Sequence, residues 1–253
     1  MSEPVLSAVK SGDAEQTSAL LSLSKPAQPT LLSALLQAAE NGNATIVDML
    51  LDAGADENGE VKGNYPLRAA ILSGDHHSVL ALLRRGADPN LETSRGTPLL
   101  VAVQSGLLET VNLLLDHGAE VNHESRDGFS ALNTAVRENK RTLCALLLKR
   151  GADPNKKSMD GNMSAFDIAQ AKVLPDIYSL LMQSSITSSA EQALADSERR
   201  QQQARQELEK SMEAEREKLQ QIAAEGKSEV SSRVQALRSE NEDLLSKFNL
   251  KRK

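Results

Sequence analysis

Between residues 65 and 90 the chain shows two short apolar runs separated by polar breaks. Tyr65-Pro66-Leu67-Arg68-Ala69-Ala70-Ile71 sets its apolar positions at helical spacing, and Pro66 suits the first turn of a helix. Gly74 sits where that helix must stop. Val79, Leu80, Leu82 and Leu83 then form the stripe of a second, antiparallel helix, which Gly86 closes. Asp88-Pro89-Asn90 opens a polar, extended excursion that reaches Gly96 before a new pair starts at Thr97-Pro98-Leu99.

The same pattern fits at other positions. Helix-pair starts are predicted at Glu3, Ser33, Tyr65, Thr97, Ser130 and Ser164, and the turn nine residues later holds Gly12, Gly42, Gly74, Gly106, Asn139 and Val173. Four glycines and an asparagine suit a left-handed turn; Val173 departs from it. The closing triplet recurs as Gly54-Ala55-Asp56, Gly86-Ala87-Asp88, Gly118-Ala119-Glu120 and Gly151-Ala152-Asp153, at intervals of 32, 32 and 33 residues. Small residues such as Ala69 and Ala70 let neighbouring helices approach closely, while the leucines of each second helix fill the layer between units. One helix pair cannot cover that surface alone, so the predicted architecture is a stacked array.

Thr97-Pro98-Leu99, the alanine pairs, the turn glycines, the leucine triplets and the Gly-Ala-Asp closure together resemble the ankyrin-repeat family over roughly residues 3 to 185. The expected fold is all-α: a solenoid of about six helix pairs joined by hairpin loops, followed by a long helix or coiled coil. The domain boundaries read as 1–186 for the array, with atypical capping repeats at both ends, and 187–253 for the tail. The histidine usual in the family's T-P-L-H box is replaced by Leu36, Arg68, Leu100, Asn133 and Asp167. The hydrogen bonds of that side chain are expected to be missing.

Composition agrees with binding rather than catalysis. Aromatic residues make up 2% and there is no Trp, which fits poorly with a surface that stacks nucleic-acid bases. The net charge is −6; the 13 basic and 13 acidic residues after position 186 leave 16 basic against 22 acidic in the array. A bulk basic footprint for phosphate backbones is therefore not expected. Cys144 is the single cysteine and lies in an apolar helical run, so it reads as a small buried hydrophobe. His76, His77, His117 and His123 have no ligand spacing, and neither a Gly-rich phosphate loop nor a nucleophile elbow is present. No enzyme activity, cofactor or metal is expected. Met1-Ser2-Glu3-Pro4 is not a basic n-region followed by an apolar stretch, and the expected compartment is the cytoplasm, or the nucleus given Lys251-Arg252-Lys253.

The resemblance implies partner binding at the fingertips of the hairpins and the exposed side of the first helices. Mapped onto this chain, the candidate partner-binding residues are Leu72, Glu92, Arg95, His123, Arg126, Lys156 and Lys157. Arg95, Arg126, Lys156 and Lys157 would make a basic strip for an acidic or phosphorylated segment, or else ordinary solvated loop charge. Leu72 stands where a polar residue would suffice and reads either as an anchor or as covered by the adjacent finger.

From Ala190 onward there is no proline and one glycine, Gly226, and the composition is that of a long helix needing a partner. Val230, Val234, Leu237, Asn241, Leu244 and Phe248 alternate at three- and four-residue steps as a coiled-coil seam. Asn241 would fix register in a parallel dimer, yet Arg233 and Arg238 would repel across a homodimer and favour an acidic partner. The frame slips by one residue between Ile222 and Val230, around Gly226. The functional expectation is a protein–protein interaction adaptor or scaffold, with a homo- or heterodimeric or docking tail and no direct nucleic-acid or membrane binding. A transcriptional co-factor subunit and a structural component of a cytoskeletal or axonemal assembly are the alternatives.

Overall fold

The computed structural model describes residues 2–23, 26–93, 96–126, 128–158, 163–224 and 230–247. Six antiparallel helix pairs follow one another: α1 (Ser2–Ser11) with α2 (Ala14–Leu23), α3 (Gln28–Glu40) with α4 (Ala44–Asp52), α5 (Pro66–Ser73) with α6 (His76–Arg84), α7 (Pro98–Ser105) with α8 (Leu108–Asp116), α9 (Ala131–Arg137) with α10 (Arg141–Lys149), and α11 (Ala165–Ala171) with α12 (Pro175–Ala224). A final helix, α13, spans Val230–Lys247. Each first helix packs on the first helix of the next pair, from α1 on α3 through α9 on α11, and the second helices follow from α2 on α4 to α8 on α10.

The core is one continuous layer stack. Ala38, Ala70, Ala102, Ala135 and Ala169 are fully buried on the first helices, and Leu50, Leu82, Leu114, Leu147 and Leu181 fill the same register of the second helices. A methyl group on one side and a branched leucine on the other set the spacing between layers. Each fully buried leucine contributes about 1.5–3 kcal/mol, and nearly all of it comes from surface covered by a neighbouring helix.

The closing triplet has a structural role at each of its positions. Gly54, Gly86, Gly118 and Gly151 take φ between 86 and 99°, reversing the chain at no Cβ cost. The following Ala55, Ala87, Ala119 and Ala152 are buried, and each amide donates back into the helix, to Leu50, Leu82, Leu114 and Leu147. The carboxylates of Asp56 and Asp88 accept from the amides of Asn58 and Asn90 at 3.0 and 2.8 Å, an Asx turn.

That turn aims an asparagine at the next repeat. Asn58 donates to the Gly86 carbonyl (3.2 Å) and accepts from the Asp88 amide (2.8 Å). Asn90 does the same with Gly118 (3.0 Å) and Glu120 (2.8 Å), and Asn122 with Gly151 (3.0 Å) and Asp153 (2.8 Å). Gln28 takes this role before the first triplet, donating to the Gly54 carbonyl at 2.6 Å. The ends of the first helices are tied similarly: Lys140 caps the carbonyls of Val103 and Gln104, and Lys172 that of Arg137.

Three expectations need correction. The second pair begins at Gln28, not Ser33, because Pro29 fits the first turn and extends the helix backward. The tail is not a separate helix that begins near Ala190: α12 starts at Pro175 and continues through residue 186, since Ser184-Ser185 changes the composition without a Gly or Pro to stop it. Two compact units, Met1–Ser185 and Ile186–Lys253, divide inside this helix. The replacements for the T-P-L-H histidine are not all silent: Asn133 donates to the Met163 carbonyl (3.3 Å), Arg68 to Asn64 (3.0 Å), and Asp167 forms a reciprocal capping box with Ser164. Val173 keeps the left-handed turn at φ 55° despite its branched side chain. The frame slip around Gly226 lies outside the described residues.

Asn90→Ala is expected to lower unfolding free energy by about 1–3 kcal/mol in urea titration, the loss of two inter-repeat hydrogen bonds. Asn155→Ala, at the matching position with no following finger, should stay within about 0.5 kcal/mol. Asp75 caps α6 by accepting from the Ser78 amide and hydroxyl at 2.9 and 2.6 Å. Burial opposes ionisation there, but these bonds and the His77 amide outweigh it and hold the carboxyl below its usual range. The cap therefore stabilises fully above the ordinary Asp value of about 3.9 and is lost as pH falls through the lowered folded value. Asp75→Ala should cost about 1 kcal/mol at neutral pH and flatten the acid limb of the stability profile.

Candidate functional site

The exposed positions of the first helices form a column two residues before each turn: Lys10, Glu40, Leu72, Gln104 and Arg137. All but Leu72 are polar. Leu72 is 53% exposed, so the adjacent finger does not cover it, and it offers an apolar contact in the middle of a polar strip. Arg137 lies over the Phe129 ring at 4.2 Å, a flat cationic platform one finger further along.

The fingertips carry paired charge rather than a basic strip. Glu92, on one finger, accepts from the Arg126 amide at 2.8 Å and lies 3.8 Å from its guanidinium Nε. His123 sits between two carboxylates, with Nε2 4.0 Å from Glu92 and Nδ1 3.5 Å from Glu120. Lys156 donates to the Asn122 carbonyl at 2.5 Å and lies 3.9 Å from Glu124. Each base is thus opposed by an acid on the finger before it. The arrangement aligns neighbouring fingers, and it leaves the Arg126 side chain, 76% exposed, reachable from solvent. Lys157 is exposed and helps to hold Asp167 ionised, behind the larger effect of the Ser164 hydrogen bonds. Arg95 lies outside the described residues.

Of the coiled-coil seam, Val230 opens α13, Val234, Leu237, Asn241 and Leu244 are half-buried, and Phe248 lies outside the described residues. Within the C-terminal unit Arg238 and Asn241 border an open groove of about 570 Å³ whose other wall is α12, with Met212, Leu219 and the carboxylates of Glu209, Glu213 and Glu215. The seam edge therefore faces a helix of the same chain. Among the described residues no helix is long and apolar enough to cross a membrane, and no group of three or more His, Cys, Asp or Glu is placed to hold a metal ion.

Several residues escaped the sequence reading. Asn58, Asn90 and Asn122 always stand two places after the triplet's acid, a spacing that signalled their clamp, yet nothing local to one repeat shows that the amide reaches the next. Tyr65 donates to Glu60 at 2.8 Å and stiffens the second finger, a pairing five residues apart across a hairpin turn.

Cys144 is fully buried, and burial pushes its thiol up to about 12. It should resist a disulfide reagent in the native protein at pH 8 and react only as urea opens the array. Fast labelling without denaturant would contradict this placement.

Comparison with known proteins places the geometry in a family. Residues 5–93 and 67–158 match the family described as ankyrin repeats, in three copies. None of the curated proteins compared matches the chain. With more than half of its length matched and six helix pairs stacked in register, the chain belongs to the ankyrin-repeat family.

Proposed function

We propose that this protein is a non-enzymatic adaptor whose array captures a segment of another protein along the first-helix column and fingertips. Ankyrin arrays are protein–protein interaction modules, and the observation that supports this site for it is Leu72, exposed alone in a polar column. A segment with one apolar side chain for Leu72 and an acidic group within reach of Arg126 fits the surface. Glu92, His123 and Lys156 hold the neighbouring fingers in register for it, with Arg95 and Lys157 flanking them on their own fingers. The C-terminal unit adds a second attachment, by dimerisation or by docking on another assembly. Its half-buried Val234, Leu237, Asn241 and Leu244 support this reading, although a partner helix must share that edge with α12.

The test is capture on the immobilised full chain, identification of the bound proteins by mass spectrometry, and titration of each against variants. Leu72→Asp should weaken the principal partner at least tenfold, and Arg126→Glu should weaken it and lower the salt dependence of binding. Partners that bind both variants as well as the wild type would remove this surface from consideration.

A further inference from the structure

The two ends of the array are finished differently. At the N-terminal end, Pro4, Ser7 and Gln16 occupy positions that later repeats fill with Ala34, Ala69 and Ile46 and bury against the preceding unit; here they are exposed, small or polar. That end is closed to apolar stacking. At the C-terminal end the first helix is closed too, because Gln170 replaces the fully buried column Val9, Ala39, Ile71, Val103 and Val136.

The second helix and the turn are left open. Tyr178 continues the column Thr17, Val47, Val79, Val111 and Cys144, every one of them fully buried by the next repeat, yet Tyr178 is 39% exposed. Met182 continues the leucine column that includes Leu51, Leu83 and Leu148, and is 43% exposed. Val173 stands at the turn, 80% exposed. At earlier turns a Cβ would point at the next repeat: one on Gly42 would come within 3.1 Å of Asp75, and one on Gly106 within 3.7 Å of Lys140. By the same geometry the Val173 side chain points to where a seventh repeat would begin. A β-branched residue at φ 55° is strained, and glycine or asparagine serves this turn everywhere else. Exposure and strain are thus accepted together at one side chain, beside an open depression of about 360 Å³ lined by Val173, Leu174, Pro175 and Tyr178.

We propose that this face is a self-association site, at which the α12 side of the last repeat pairs with the same face of a second copy. Every equivalent surface in the array is covered by a helix pair, so a helix pair is the occupant its shape fits. The polar N-terminal end of another copy does not supply one, which excludes head-to-tail growth. A second C-terminal end does: apolar half meets apolar half across a two-fold axis, and the Gln170 halves remain at the rim. These few side chains fall short of the roughly 800 Å² per partner of a stable complex, so the pairing is weak and acts in concert with other contacts. It is independent of the tail seam.

Sedimentation velocity over a concentration series separates the two. In the full chain carrying Val234→Asp and Leu237→Asp, which disable the tail seam, self-association is expected to persist. Adding Val173→Gly and Met182→Gln should weaken it about tenfold or more. Val173→Gly alone should raise Tm while weakening association, a combination that a merely structural residue would not give. In the tail-disabled chain, Met182→Cys should form a covalent dimer under mild oxidation, with buried Cys144 silent. A tail-disabled chain that stays monomeric at every concentration, or end-face substitutions that leave association unchanged, would overturn the proposal. Association lost on disabling the tail alone would place it in the seam instead.

Discussion

No helix pair in this chain can cover its own apolar face. Each pair has a layer of small residues on its first helix and a layer of leucines on its second, and both are buried only because another pair lies against them. The length of the repeat, the turn chemistry and the finishing of the ends all follow from that constraint. The Asn58, Asn90 and Asn122 clamps add direction to it, since each ties the loop of one repeat to backbone atoms of the next and so fixes how far the layers turn as they stack.

Since stability is carried between the repeats, the fingertips and the first-helix column are free to carry recognition. Leu72 and Arg126 are exposed without contributing to the stack, whereas Glu92, His123 and Lys156 link one finger to the next. Substituting the first group is expected to change which segment binds. Substituting the second should also change how firmly the surface is held in shape. The same division explains the ends, where Gln16 and Gln170 close faces that have no neighbour and Val173, Tyr178 and Met182 leave one half open.

Much of this was legible in the residues because the repeat multiplies weak signals. Gly74 alone says little; Gly12, Gly42, Gly74, Gly106 and Asn139 in phase specify a left-handed turn, and all of them adopt it. The signal failed where a position acts through space. The basic fingertip strip was read from Arg126 and Lys156 without the acids that oppose them, because Glu92 and Glu124 lie some 30 residues earlier and meet them only when fingers stack. Val173 was read as a departure from the turn, and the backbone takes the turn anyway because the two helices on either side are buried and hold it there. The start of α3 was misplaced since Pro29 marks a helix entry as well as a loop, and the tail helix because composition can change along a helix that nothing interrupts.

An array held together between its repeats opens from its ends. Native-state hydrogen exchange on the full chain tests this most directly. The account predicts the highest protection in α5 to α8, falling toward α1–α2 on one side and α11 on the other, with Asn90→Ala lowering protection in the repeats on both sides of the clamp. Repeats that exchange independently of their neighbours, or a centre that opens before the ends, would contradict it.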